Sequence, residues 1–423
     1  MRAGAPAPAA ALAGAVAVLA IVAGPAALAV TPAAASSSTA GASSSSSPSP
    51  SPSAAAGGPA AVHATRLSRT ARLNVGGSQL AGRGVAVNYP ASGRKRLPKV
   101  PATAYVIANA TTGQVLAAKD AHGQFAPAST LKMLTAITLI PRLKPTAEVL
   151  ATKRATSVEP NIVGLVTGRH YEVQNLFKAL LLISANDAAV ALTQATGSFD
   201  KGMALINAEA QHLQAYDVVA KQPNGLPAAG QVVSAYDEAL IARQALAIPA
   251  FMHYDSTLAA RFQVKPRHWV TLVNQNSLLT QYRGGIGGKI GWTVKSKATY
   301  IGMARRHGVT LIVTVLHCTP LQEITTGERL LNWGFAENGK VRPVGKLVAP
   351  LTADAAATQT KTARVSQAGL KRAFEVHPEA EARSSGDDAG LAVGAGVAAA
   401  AVFGLGTLAR SRRRQASADG DDR

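Results

Sequence analysis

The chain of 423 residues contains a single cysteine, Cys318. No intrachain disulfide can form, so a folded, exported domain must rely on a large apolar core. Cys318 follows an apolar, strand-like run with no base motif beside it, which reads as a small buried hydrophobe and not as a catalytic thiol. Metal-ligand spacing is missing as well: none of the nine histidines sits in a His-Glu-x-x-His or similar arrangement, so a metallopeptidase has no support. Acidic residues are scarce, with 23 Asp and Glu against 43 Lys and Arg, a formal net charge of +20. That balance first suggests nucleic acid. The two ends of the chain carry export features, which argue against nucleic acid and for an anionic envelope polymer or lipid headgroups.

Residues 1–35 open with Met1-Arg2 and continue in Ala, Val and Leu. Ala27-Leu28-Ala29 and Ala33-Ala34-Ala35 are small-x-small cleavage sites, so the stretch reads as a secretory signal peptide, with an uncleaved anchor as the alternative. Residues 36–60, almost entirely Ser, Pro, Ala and Gly, cannot bury enough apolar surface to offset chain entropy and read as a disordered linker. Residues 61–97 form a basic arm ending in Arg94-Lys95-Arg96-Leu97-Pro98. Residues 98–345 carry the dense pattern of one folded domain, and 346–388 fall back to an Ala/Thr/Ser-rich stalk. Residues 389–409 are uncharged and apolar, and at ~1.5 Å per residue they are long enough to span a bilayer. Arg410, Arg412, Arg413 and Arg414 follow, which marks 410–423 as a cytoplasmic tail and places the domain outside. A buried soluble helix is the alternative for 389–409.

Within the domain, Ala102–Ala110 and Val115–Lys119 flank the turn Thr111-Thr112-Gly113-Gln114 as a hairpin. Helices are expected from Ser129 to Pro141, over Val173–Ile183, from Ala188, and over 202–215 and 234–247. Gly287–Trp292, Ala298–Arg305 and Thr310–Leu316 are spaced as an antiparallel meander, followed by a closing helix over 320–334. Strands at both ends with helices between them indicate an α+β domain.

Three clusters carry chemistry. Ser129 and Lys132 lie three apart at the start of an apolar helix, which puts both side chains on one face. A serine hydroxyl needs a base to take its proton, and a lysine serves once burial or a cationic neighbour lowers its pKa. Ser92–Lys95 and Ser198–Lys201 repeat the Ser-x-x-Lys spacing, but neither opens an apolar helix. Ser184-Ala185-Asn186 follows a buried helix and offers a hydroxyl and an amide; a helix-capping turn is the plain alternative. Asp187 either caps the next helix or fixes the loop. Lys289-Ile290-Gly291 sits in a glycine-rich strand, where glycine permits close approach of a ligand and a lysine can hold a carboxylate.

In this order, the three clusters resemble the Ser-x-x-Lys, Ser-x-Asn and Lys-Thr-Gly elements of serine-type D-alanyl-D-alanine carboxypeptidases, the low-molecular-weight penicillin-binding proteins. The resemblance extends to Leu181–Ala189, Asn224-Gly225-Leu226, Ser234-Ala235-Tyr236-Asp237 and Asn274–Leu279. It implies a penicillin-binding/serine β-lactamase-like transpeptidase fold, an antiparallel sheet with a helical subdomain. It also implies catalytic roles for Ser129 as nucleophile, Lys132 as its base and Ser184 as proton relay. Asn186, Lys289, Gly291, Trp292 and Thr293 would bind substrate, and the N–H groups of Ser129 and Trp292 would form an oxyanion hole. Peptidoglycan stem peptides would be the substrate and β-lactams covalent inhibitors, with no metal or cofactor.

Two features depart from the family pattern. Ile290 stands where the family has Thr, whose hydroxyl helps bind the substrate's terminal carboxylate; a weakly active or inactive wall-peptide binder is therefore the competing expectation, with Thr293 as a possible substitute donor. Many relatives also carry a β-rich domain after the catalytic one, where this chain has only the stalk. A lactamase reading rests on Glu159-Pro160-Asn161, which precedes Ser184 although the lactamase acid loop follows the Ser-x-Asn element.

Overall fold

The computed structural model describes residues 68–93 and 95–352. The segments read from the sequence as signal peptide (1–35), linker (36–60) and bilayer span (389–409), with most of the stalk, lie outside the described residues. Among the described residues no helix is long and apolar enough to cross a membrane.

The centre is a seven-stranded sheet built from β1 (Val85–Val87), β2 (Ala102–Asn109), β3 (Gln114–Lys119), β8 (Gly285–Thr293), β9 (Lys297–Arg306), β10 (Val309–Cys318) and β11 (Gly345–Lys346). The order is β1-β3-β2-β10-β9-β8, with β11 also on β3 and every pair antiparallel. Alternation along the central strands divides the apolar residues between two cores. Tyr105, Ile107, Leu311, Val313 and Val315 meet Leu330, Leu331 and Trp333 of α10 (Glu323–Glu337) on one face. Ala104, Val106, Ala108, Ile312 and Leu316 join the helical side on the other.

That helical side contains α2 (Leu131–Leu139), α4 (Val173–Leu182), α5 (Asn186–Gln194), α6 (Phe199–His212), α7 (Ala235–Leu246) and α8 (Pro249–Asp255). Every residue of α2 is buried, Lys132 included, so it is the core helix of this half. Each of its leucine and isoleucine side chains contributes roughly 1.5–3 kcal/mol relative to exposure. Two small ribbons complete the structure: β4 (Glu148–Leu150) with β5 (His170–Glu172), and β6 (Ala259–Lys265) with β7 (His268–Val273). Short helices α1 (Arg69–Leu73), α3 (Lys153–Thr156) and α9 (Leu278–Gln281) join them.

The hairpin, the meander and the closing helix fall where the sequence puts them. Three expectations need correction. The basic arm over 61–97 is not separate from the domain, because Val85–Val87 pairs with β3 and Leu80 is buried. The stalk does not begin at 346: Lys346 pairs with Gln114, and Leu347 is buried with its N–H on the carbonyl of Gly113 at 2.6 Å. Helix α5 starts at Asn186 rather than Ala188, because Ala185 already holds the extended N-cap conformation.

Candidate active site

The nucleophile turn is a 3-10 segment, Ala128–Thr130, that runs into α2. Ala128 has φ 48°, the left-handed region that non-glycine residues avoid. Gly225 braces it closely: a Cβ there would come within 1.7 Å of the Ala128 carbonyl oxygen. One helical turn beyond Ser129, Lys132 is fully buried, and its Nζ reaches Ser129 Oγ at 2.9 Å, Asn186 Oδ1 at 2.6 Å and the carbonyl of Asn224 at 2.7 Å. Burial holds the amine well below the usual lysine range, the charge of Lys289 lowers it further, and Asp187 opposes both. As a neutral amine, Lys132 donates its two N–H groups to the two carbonyl oxygens. Its lone pair then faces the Ser129 hydroxyl, the arrangement a general base needs.

Ser184, between α4 and α5, has φ 62°, and its buried hydroxyl has no hydrogen-bond partner among the described residues. Asn186 is also engaged within the protein. The sequence assigns its amide to substrate, yet Oδ1 accepts from Lys132 and Nδ2 donates to the carbonyl of Glu159 at 2.8 Å. It is 3% exposed and orients the base directly, leaving one N–H of Nδ2 for a substrate carbonyl. Asp187 fixes the loop: its carboxylate accepts from the N–H groups of Val163, Gly164 and Leu165 at 2.9–3.0 Å. Glu159-Pro160-Asn161 contributes backbone to this knot, with Asn186 N–H on the Asn161 carbonyl at 2.7 Å, while the Glu159 side chain is exposed.

Strand β8 closes the site. Lys289 is buried and its Nζ donates to the carbonyl of Ile290 at 2.9 Å. Burial brings it down to about 8, against the pull of Asp255. Asp255, which no motif announces, accepts from the Gly288 N–H at 2.7 Å and is pushed up to about 7 by burial, opposed by that N–H and by Lys289. Asp255 favours the charged form of Lys289, and that charge adds to burial in holding Lys132 below the usual lysine range. Glycine is sterically required at several positions of this strand, two of them facing the site. A Cβ at Gly287 would lie 2.1 Å from Asp255 Oδ2, and one at Gly291 would lie 2.7 Å from the Ser129 nitrogen. Gly291 thus lets the strand approach the nucleophile's own N–H. Ile290 is half-buried against the α10-side core, and alternation turns it away from the face of Lys289 and Gly291. Thr293 is no ready substitute for the missing hydroxyl, because its Oγ1 lies 2.7 Å from Ser296 Oγ and accepts from Ser296 N–H at 3.0 Å. Trp292 is 59% exposed at the rim.

The two other Ser-x-x-Lys pairs have local roles. Ser198 caps α6 by accepting from the Lys201 N–H, and Ser92 is exposed in the arm. Cys318 is fully buried against Thr326. His122, Asp217 and Asp237 are close enough to hold a metal ion, but protein groups already engage them. His122 bonds Asp217 Oδ2 and the Val75 carbonyl, Arg72 pairs with Asp217, and Asp237 accepts from the Asp217 N–H.

Comparison with known proteins bears on what this geometry does. Residues 91–319, which contain all three clusters, match the peptidase S11 family, described as D-alanyl-D-alanine carboxypeptidase. The chain belongs to this carboxypeptidase family. It is 35% identical over 253 residues to the D-alanyl-D-alanine carboxypeptidase DacB2 of Mycobacterium tuberculosis, covering 58% of this chain and 87% of that one. A crystal structure of a D-alanyl-D-alanine carboxypeptidase from Mycobacterium tuberculosis H37Rv superposes with a TM-score of 0.58 at 35% identity, over 61% of this chain and 99% of that chain. A mutant of the Streptomyces K15 DD-transpeptidase superposes with a TM-score of 0.53 at 27% identity, over 56% and 99%. The fold is accordingly the penicillin-binding, DD-transpeptidase fold. Asn224, Gly225 and Asp255 are the members of this carboxypeptidase site that motif reading did not single out for a role. Asn224-Gly225 had a signal in the quoted family pattern, whereas Asp255 is an isolated acid with none.

Proposed function

We propose that the protein is a serine-type D-alanyl-D-alanine carboxypeptidase that removes the terminal D-alanine from peptidoglycan stem peptides through an acyl-enzyme on Ser129. The observation that carries this is the buried Lys132 amine, 2.9 Å from Ser129 Oγ with both other donor directions filled by carbonyls. Ser129 Oγ attacks the carbonyl carbon between the two D-alanines as its proton passes to Lys132 Nζ. The oxyanion is received by the N–H groups of Ser129 and Trp292, a preorganised pair of donors. The C–N bond breaks, and the leaving D-alanine nitrogen takes a proton through Ser184, whose hydroxyl has no partner among the described residues to compete for it. Water then adds to the ester, Lys132 accepts its proton, and Ser129 is released with the shortened peptide. Lys289 supplies positive charge for the terminal carboxylate, and Asn186 holds Lys132 while offering one N–H to the substrate. A β-lactam enters the same first step, with its ring amide opening onto Ser129.

The apolar run 389–409 and the arginines after it support a membrane-tethered enzyme with its domain on the wall side, and residues 1–35 support export. The test is labelling of the purified protein by a fluorescent penicillin, together with D-alanine release from a stem pentapeptide. Wild type is expected to label and turn over, and Ser129→Ala to do neither. Absence of label on wild type would overturn the acyl-enzyme.

A further inference from the structure

A buried polar knot lies directly behind the nucleophile turn, and none of the three motifs includes its central acid. The carbonyl oxygen of Pro127 accepts from Thr130 Oγ1 at 2.6 Å and from Thr299 Oγ1 at 2.8 Å. Thr130 Oγ1 is also in hydrogen-bond contact with Glu238 Oε1, from the first turn of α7. Thr130, Thr299 and Glu238 are all at most 1% exposed. A threonine hydroxyl has one proton to give. A carbonyl can only accept, so the proton on the Thr130–Pro127 bond is the hydroxyl's own. The bond between Thr130 and Glu238 then needs a second proton, and the carboxyl group is its source. Glu238 also lacks any ion-pair partner among the described residues, and its Oε2 is buried without a hydrogen bond. A carboxylate there would be desolvated and unpaired.

We propose that Glu238 acts as a neutral carboxylic acid that positions the nucleophile turn, and that loss of its proton shuts the site down. The proposal rests on the reading of Ser129 as nucleophile. On ionisation the carboxyl proton leaves to solvent, and Thr130 O–H turns from Pro127 to the new carboxylate. Pro127 loses one of its two donors, next to the left-handed Ala128 and one residue further from Ser129. Burial pushes Glu238 up to about 8, with the Thr130 hydrogen bond opposing. Asp237 beside it on α7 is tied to Asp217, His122 and Arg72, and the nearest elements that pack on α7 carry Lys132 on α2 and Asp255 on α8. None of them hydrogen-bonds or ion-pairs with it.

The experiment measures the second-order rate of acylation by a fluorescent penicillin from about pH 6 to about pH 10 in wild type, Glu238→Gln and Glu238→Ala. Lys289 titrates in the same range. With Lys289 and Asp255 common to both proteins, the alkaline fall of Glu238→Gln should be shallower than that of wild type by about one unit of log–log slope. Glutamine keeps a donor for Thr130 and should fold and acylate at neutral pH, while alanine loses rate at every pH. Superimposable wild-type and glutamine profiles would overturn the proposal. So would a glutamine variant that fails to fold, since an amide replaces a neutral acid but not a buried carboxylate. Thermal unfolding reads the same proton without the chemistry. A folded pKa raised above the unfolded one contributes stability that is present at low pH and lost as pH rises through the folded value. The Tm of Glu238→Gln should thus gain on wild type between about pH 5 and about pH 9. A constant difference overturns the proposal even if no label forms, an outcome that would separately refute the Ser129 reading.

Discussion

Single side chains decide how far chemistry can be read from this chain. Ser129 and Lys132 were legible because a nucleophile and a base on one helix face leave a spacing in the sequence. Asp255 and Glu238 were not, since a lone acid acquires its meaning only from the strand or turn it is folded against. Ile290 lies between these cases: its departure from the family pattern was visible, but its consequence depends on where the side chain points. The reacting atoms around Lys132 are complete without it, and its side chain packs on the α10-side core, away from Lys289. A hydrogen bond to a charged group is worth about 1.5–3 kcal/mol. With the side chain turned from the Lys289 face, Ile290→Thr should leave kcat/KM for a peptide with a free terminal carboxylate within about threefold of wild type, short of that scale. It should also lower the melting temperature, because half-buried methyl groups leave the α10-side core. Steady-state assays and a melt check both. A rise in kcat/KM of about tenfold would show that position 290 faces the carboxylate after all.

At the level of elements, the sequence located the hairpin, the meander and most helices but placed less well what holds them to the site. The start of α5 was misplaced because Asn186 and Asp187 favour caps and turns, whereas here the tertiary contacts of both side chains hold the backbone in helix. The β6–β7 ribbon went unread, although Phe262 and Val264 alternate with polar residues before Pro266-Arg267, and Val270 and Leu272 do so after it. The loop over 159–167 has no regular structure of its own to predict, and Asp187 gives it one. Its carboxylate gathers three successive N–H groups in a buried setting, so removing its charge weakens charge-assisted bonds and leaves a donor poorly paired. Asp187→Asn should cost about 2–3 kcal/mol in urea unfolding. It should also speed hydrogen exchange at residues 163–165 and slow penicillin acylation, because the Glu159 and Asn161 carbonyls that hold Asn186 belong to the same loop. Native exchange at 163–165 in the variant would show that the loop is held by something else.

Across the whole molecule, the excess of positive charge gains a location. Residues 256–322, from the end of α8 through β10, contain no Asp or Glu. They include the Lys289 strand, the exposed Lys295 and Lys297 at its turn, and the outer face of the β6–β7 ribbon with Arg261, Lys265 and Arg267. That outer face also presents Trp269, 48% exposed, with the Arg261 guanidinium 4.9 Å from its ring centre. The ribbon adjoins the loop that Asp187 holds, since Tyr171 donates to the Val264 carbonyl at 2.7 Å and accepts from the Val166 N–H. An acid-free flank with an exposed aromatic suits a polymeric, anionic wall substrate better than a free peptide, because only the polymer reaches beyond the cleft. Retention of the purified protein on isolated peptidoglycan should therefore fall severalfold between about 0.05 and about 0.5 M salt, as screening shortens toward a few ångströms. Arg261→Ala and Trp269→Ala should weaken retention at low salt while leaving D-alanine release from a soluble pentapeptide within about twofold of wild type, because exposed side chains away from special features rarely matter to the folded state. If both variants bind the polymer as wild type does, the charge on this flank serves solubility alone, and recognition of the wall is confined to the cleft between Ser129 and Lys289.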